Sequence, residues 1–171
     1  GADYYIALRQ RFEIARSAGA DVFISLHADS SPLRTSRGLS VYTLSSQASD
    51  EEAAALARRE NRADVVAGVD ISRNSDRVAG ILIDLAQRQS LHNAHRLAGT
   101  IVAALQRRVE LVPKPQRSAG FAVLKAPDVA SVLIELGHLS NAKEEHQLRD
   151  PAYRRRLADG MLHGIDRYFA A

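Results

Sequence analysis

The spacing of apolar residues predicts an amphipathic helix at the start of the chain. Over residues 3–19, Tyr5, Leu8 and Phe12 recur at intervals of three and four, which places their side chains on one helical face. Gly19 follows the last turn, as is typical of a helix end. An apolar run comes directly after this glycine, so the pattern indicates that the chain enters an α/β unit at once.

Four short apolar runs predict β-strands. Each is rich in β-branched or aromatic residues and is bounded by glycine, proline or clustered polar residues. The runs are Asp21–His27, Leu39–Leu44, Gly120–Lys125 and Ser131–Glu135. Their continuous apolar character is typical of strands that are buried on both faces, as in a parallel sheet.

Helical patterns fill most of the intervals between these runs. Acidic residues 50–52 open an Ala-rich helix, and the periodicity weakens over residues 60–74. A helical pattern then runs from Ser75 to Val109, either as one long helix or as two with a break near Ser90. The Pro-Lys-Pro segment 113–115 is expected to end it.

The last part of the chain has two further helix starts. Asn141 and Glu144 resemble a capping box, and Pro151 opens a final amphipathic helix. The alternation along the chain predicts one α/β domain over residues 1–171. Its mostly parallel central sheet is flanked by helices on both faces, and residues 50–90 form a helical insertion.

Composition narrows the chemistry that such a domain could carry. The 171 residues include no Cys, so disulfides, thiolate metal sites and Cys nucleophiles are excluded. The net charge of +3 is too small to favour nucleic acid and suits an anionic polymer equally well. No apolar run has the length of a transmembrane segment.

Two ionisable residues end predicted strands. His27 closes the first run and Glu135 the last, and ligands of open α/β sheets bind at the carboxyl ends of strands. An imidazole that ligates zinc and a carboxylate that accepts a proton from water are the elements of a zinc hydrolase. A hydrogen-bonded His at the rim of the core is the alternative for His27. His138 either lines the same cleft or is a loop residue.

Three segments carry a family resemblance along nearly the whole chain. Residues 23–29 (FISLHAD), 120–125 (GFAVLK) and 132–141 (VLIELGHLSN) resemble the zinc-dependent N-acetylmuramoyl-L-alanine amidases of bacterial cell division. The resemblance implies hydrolysis of the amide between N-acetylmuramic acid and L-alanine in peptidoglycan, outside the cytoplasm or in the periplasm. It assigns His27 as a zinc ligand and Glu135 as the catalytic glutamate.

The sequence departs from the family pattern at two points. His138 stands where the family usually has Phe, which is expected to change the lining of the cleft, to which Asp29 is also assigned. The family's other two zinc ligands, a His and a Glu, come from a segment that precedes the region matching residue 3. The chain as given is therefore expected to have an incomplete zinc site and little activity.

The insertion also has a counterpart in the resemblance. Division amidases carry a helix that blocks the zinc until an activator with a LytM-like domain withdraws it. A blocking segment needs a carboxylate at the open zinc position, and Glu60, followed by Asp64, is the candidate in this chain. Surface acids are the alternative. A non-catalytic wall-binding or regulatory domain with the same fold is the competing function.

Overall fold

The computed structural model describes residues 4–67 and 80–171, the second range with side chains from residue 87 onward. Its elements alternate as the sequence predicts. The helices are α1 (Leu8–Ser17), α2 (Glu51–Asn61), α3 (Ala63–Val66), α4 (Gly80–Leu105), α5 (Ala142–Arg149) and α6 (Pro151–Phe169). The strands are β1 (Val22–His27), β2 (Leu39–Leu44), β3 (Leu111–Ala119) and β4 (Ala130–Glu135).

The four strands form one mixed sheet in the order β1-β4-β2-β3. The β1/β4 and β2/β3 pairs are parallel, whereas β2 and β4 are antiparallel. The expectation of a mostly parallel sheet is therefore confirmed. Because β1 and β4 run in the same direction, their carboxyl ends lie at one edge, where His27 and Glu135 are found.

Both faces of the sheet are covered by helices, as the sequence predicts. Alternate residues of β4 point to opposite faces, so Val132 and Ile134 pack against α4 and α6, while Leu133 packs against α1 and α2. Gly164 of α6 allows close contact with α4, because a Cβ there would be 2.6 Å from the Cα of Ile101. Glu135 follows the period of Leu133 and belongs to the α2 face.

One strand lies elsewhere than the sequence pattern predicts. Residues 120–125 are not a strand, since Ala122–Leu124 form a short 3₁₀ helix with Val123 and Leu124 buried. The fourth strand is β3, which contains the Pro-Lys-Pro segment. Its register with β2 shifts between Leu39 and Val41, and both prolines fall within this irregularity. Proline lacks the N–H that a regular β-ladder needs. The irregularity in β3, an edge strand of the sheet, accommodates both prolines.

The other predicted helices are present within the described residues, but α1 begins at Leu8, so Tyr5 precedes this helix instead of lying on its apolar face. One continuous α4 extends through Ser90 without a break and ends at Leu105, four residues before the predicted end. Gly19 has φ +66° just after α1. Residues 68–74 of the expected irregular stretch 60–74, and Ser75, where the helical pattern was expected to start, lie outside the described residues.

Candidate metal and catalytic site

The ends of β1 and β4 bring His27 and Glu135 together. The two residues are register partners in the parallel ladder. The Leu136 amide donates to the His27 carbonyl at 2.9 Å, and the Asp29 amide donates to Glu135 Oε1 at 2.8 Å. These bonds continue the pairing past the strand ends. They fix the backbone that follows each of the two candidate residues.

His27 has polar neighbours at both ring nitrogens. Nε2 lies 3.1 Å from Ser25 Oγ. Nδ1 lies 3.5 Å from Asp29 Oδ2 and 3.3 Å from Glu60 Oε2. One atom each of His27, Asp29 and Glu60 lie within 4.8 Å of one another, close enough to hold one metal ion. An imidazole with two carboxylates is a donor set that zinc accepts, so the residues present fit such an ion.

Arg59 neutralises part of the negative charge in this group. Its Nη2 is 2.9 Å from Asp29 Oδ2, its Nε is 3.5 Å from Glu60 Oε1, and its Nη1 donates to the Ser30 carbonyl at 2.6 Å. Because α2 carries both Arg59 and Glu60, the end of this helix is attached directly to the carboxyl edge of the sheet. The sequence pattern gave no indication of this contact between Arg59 and Asp29.

The three carboxyl groups here differ in proton affinity. Burial favours the protonated form of Asp29, but the hydrogen bond with His27 and the charge of Arg59 outweigh it and lower its pKa to about 2. Burial and the negative charge of Asp29 raise the pKa of Glu60. Burial, followed by the charge of Asp29, raises the pKa of Glu135 to about 9. A buried carboxyl group of high proton affinity is suited to taking up and releasing a proton.

Glu135 keeps one carboxyl oxygen available. The side chain is fully buried, and Oε1 accepts the hydrogen bond from Asp29. Oε2 has no hydrogen-bond partner among the described residues. An unpaired buried oxygen is costly in a protein that uses the residue only for structure. The unpaired Oε2 beside the His27 cluster therefore indicates a chemical role for Glu135.

Asp64 and His138, two of the other predicted residues, lie outside the His27 cluster. Asp64 Oδ1 accepts from the Tyr5 hydroxyl at 2.6 Å and from the Leu8 amide at 2.9 Å, so it anchors the start of α1. His138 is buried beyond the end of β4, and its amide donates to Glu144 Oε2 at 2.7 Å. Asp29, assigned to the cleft, lies within the cluster itself. Glu144 has a further contact that the capping pattern did not predict.

Glu144 connects two loops at the edge of the sheet. Asn141 caps α5 as expected, accepting from the amides of Lys143 and Glu144. The Glu144 carboxylate does not return to Asn141 as in a capping box. Instead its Oε1 accepts from the Gly38 amide and its Oε2 from the His138 amide, both at 2.7 Å. The loop before β2 and the turn after β4 are thereby held to one buried side chain.

The fold and the site define an α/β domain with a cluster of potential metal ligands at the carboxyl edge of its sheet. Comparison with known proteins gives the family. A model of the N-acetylmuramoyl-L-alanine amidase family matches residues 1–167, and the chain therefore belongs to this family. The resemblance of the three sequence segments to N-acetylmuramoyl-L-alanine amidases is confirmed.

Individual relatives agree with this assignment. The chain is 37% identical over 168 residues to the N-acetylmuramoyl-L-alanine amidase AmiA of Escherichia coli, covering 98% of this chain and 58% of that protein. It thus spans a little under three fifths of that relative.

Solved structures support the fold. The catalytic domain of the amidase CwlV from Bacillus (Paenibacillus) polymyxa matches with a TM-score of 0.57 and 25% identity, covering 98% of this chain and 68% of that one. The CwlD amidase of Clostridioides difficile, solved in complex with the GerS lipoprotein, matches with a TM-score of 0.63 and 20% identity, covering 95% and 61%.

Proposed function

We propose that this chain forms the main part of the catalytic domain of a zinc-dependent peptidoglycan amidase. Its substrate is the amide between N-acetylmuramic acid and the L-alanine of the stem peptide. The observation that carries the proposal is the pairing of His27 with Glu135 at the carboxyl edge, with a buried carboxyl oxygen of Glu135 free beside the cluster. Family membership supports the reaction.

His27 would hold the zinc through Nδ1, the nitrogen that faces Asp29 and Glu60. Zinc, when bound, lowers the pKa of water and polarises the carbonyl of the substrate. Glu135 Oε2 accepts the proton of the attacking water and delivers it to the L-alanine nitrogen as the C–N bond breaks. Oε1 stays bonded to the Asp29 amide, which holds the carboxyl group in place.

The proposal extends to the setting of the enzyme. Hydrolysis of this amide releases stem peptides from the wall, which suits wall remodelling and the separation of daughter cells in a periplasmic or other extracytoplasmic compartment. Among the described residues, no helix has the length and apolar character needed to cross a membrane.

Replacing His27 by Ala is expected to remove the metal. In the full-length protein loaded with zinc and dialysed, the His27→Ala variant should lose at least about tenfold in zinc affinity, because loss of a ligand exceeds the effect of a lost supporting contact. Elemental analysis after gel filtration measures bound zinc, and stem-peptide release from purified peptidoglycan measures activity by mass spectrometry.

His146→Ala is the matched control, since His146 lies on α5, away from the His27 cluster. Retention of zinc by His27→Ala would contradict the assigned ligand. Binding of peptidoglycan without peptide release by the wild-type protein would favour a non-catalytic wall-binding domain instead.

Glu60 is proposed as an autoinhibitory residue. Its Oε2 lies 3.3 Å from His27 Nδ1, the nitrogen assigned to the metal, so Glu60 would occupy the open position of a zinc held by His27 and by the two ligands that the family pattern places upstream. Because Glu60 lies in the last turn of α2, movement of this helix would clear the site. Residues 50–90 are accordingly proposed as the regulatory insertion that an activator with a LytM-like domain displaces. Asp64 would act there only indirectly, through its bonds to α1.

The Glu60→Ala variant of the full-length protein is expected to be more active without an activator. Loss of a contact of about 1.4 kcal/mol would raise the open fraction, and hence the initial rate of peptide release, about tenfold. Glu51→Ala, at the exposed first turn of the same helix, is the control. A parallel fall of activity and zinc content in Glu60→Ala would instead make Glu60 a required ligand and refute autoinhibition.

A further inference from the structure

His138 lines two cavities at the edge of the sheet. The smaller, about 170 Å³, lies between α2 and the sheet and is lined in part by Ser30, Tyr42, Leu56 and Arg59. The larger, about 390 Å³, reaches β3 and is lined in part by Arg37, Leu111, Pro113 and Arg117. Besides His138, both cavities are bounded by Glu52. His138 is therefore placed to contact a molecule in either cavity.

The smaller cavity begins beside the candidate site. Arg59, which lines it, lies 2.9 Å from Asp29 of the His27 cluster, and Ser30 follows Asp29 in the chain. From there the cavity runs along α2 towards Glu52 in the first turn of that helix. A chain that starts at the cluster can thus continue past His138 towards β3.

The backbone of His138 is held firmly. Its amide donates to Glu144 Oε2, and its carbonyl accepts from the Asn141 amide at 3.0 Å. The preceding residue, Gly137, has φ +148°, and a Cβ there would lie 3.2 Å from the Glu144 carboxyl carbon. Because Glu144 is itself buried, the imidazole is presented from a fixed backbone.

The imidazole has an unused polar atom. The His138 residue is 9% exposed, and its Nδ1 is buried without a hydrogen-bond partner among the described residues. Burying a polar atom unpaired is unfavourable unless a bound molecule supplies the partner. A ligand group beside this ring has to pair with an imidazole nitrogen in either tautomer.

We propose that His138 is a substrate-binding residue that hydrogen-bonds a peptide group of the stem peptide. This inference rests on the proposed function. A peptide group fits because it offers both an N–H donor and a carbonyl acceptor. The apolar side chain of Leu56, which lines the smaller cavity with His138, suits the small side chains of a peptide. His138 thereby determines the affinity for stem peptides that extend beyond the L-alanine at the cleaved bond.

The test is steady-state hydrolysis by the full-length enzyme of soluble muramoyl peptides of two lengths, one with a tripeptide and one with L-alanine alone. For the tripeptide, His138→Phe should raise KM about three- to tenfold, the effect of one neutral hydrogen bond, with kcat within about twofold. His138→Gln, which keeps a hydrogen-bonding group, should recover most of the affinity. For muramoyl-L-alanine the KM of all variants should be equal.

His146→Phe on α5 makes the same change at a position that lines neither cavity and should leave KM unchanged. An unchanged tripeptide KM in His138→Phe, beside an active wild type, overturns the role of His138 and leaves the proposed function intact. A KM that rises equally for both substrates also overturns it, since it indicates a disturbed fold. Absence of hydrolysis by the wild type overturns the proposed function and this inference together.

Discussion

The Glu135→Gln variant of the full-length enzyme is expected to lose peptidoglycan hydrolysis by about 10²- to 10⁴-fold in kcat, the usual contribution of a positioned general base. Glutamine keeps the size and the acceptor oxygen, so the bond from the Asp29 amide at Glu135 Oε1 is retained. It cannot take up a proton from water. The rate of release of free L-alanine amino groups measures the effect.

The fold of this variant should be preserved. Without a bound cation, burial and the charge of Asp29 raise the pKa of Glu135 to about 9, so the fold does not depend on a charged carboxylate here and an amide of the same shape replaces it at little cost. The urea midpoint should therefore stay close to that of the wild type. Glu13→Gln, at a partly exposed residue paired with Arg9, is the control for removal of a carboxylate. Full activity in Glu135→Gln would refute the assigned mechanism.

The sequence predicts the location of the candidate site because local pattern determines it. Each of the runs ending at His27 and Glu135 is continuous and apolar, and each becomes a strand with the predicted end. Parallel neighbours bring their carboxyl ends to one edge, so the meeting of these residues follows once the strands are adjacent. Adjacency itself is a tertiary property, and the motif resemblance supported it.

The misplaced strand illustrates where local pattern fails. The run at residues 120–125 has the apolar character of a strand, yet Phe121 and Leu124 gain their burial against α1 and α2 in a 3₁₀ turn. Residues 111–119 contain two prolines and few apolar residues, which argues against a strand. Pairing with β2, and a shift of register at the prolines, overrides that local preference.

Contacts across long sequence distances lay beyond the sequence pattern. Glu60 and Asp64 are separated by one helical turn, yet the first reaches His27 and the second reaches the start of α1. The break between α2 and α3 at Arg62 places these two side chains in different directions. Glu144 likewise fits a capping box in the sequence, but its carboxylate accepts hydrogen bonds from the Gly38 and His138 amides instead.

Replacing Gly38 by Ala is expected to give the largest loss of stability, because two costs coincide there. Its φ of +105° disfavours any residue with a Cβ, and that Cβ would lie 2.6 Å from the Val112 nitrogen and 2.7 Å from the Leu111 carbonyl carbon. Both atoms belong to the β3 backbone, which cannot give way as a side chain would. The free energy of unfolding should fall by roughly 2–5 kcal/mol, the sum of the backbone and overpacking costs.

Gly19→Ala isolates the first cost. Gly19 also has positive φ, at +66°, but a Cβ added there would meet no atom within 4 Å beyond its chain neighbours, so this variant should lose only about 1–2 kcal/mol. Urea denaturation of the two variants and the wild type measures the difference. Since the Gly38 amide donates to Glu144, displacement of Gly38 should also loosen the turn at His138 and raise the KM for muramoyl tripeptide. Equal losses of stability in the two variants would mean that β3 yields to the added methyl group, and that the close approach of Gly38 to β3 does not limit the fold.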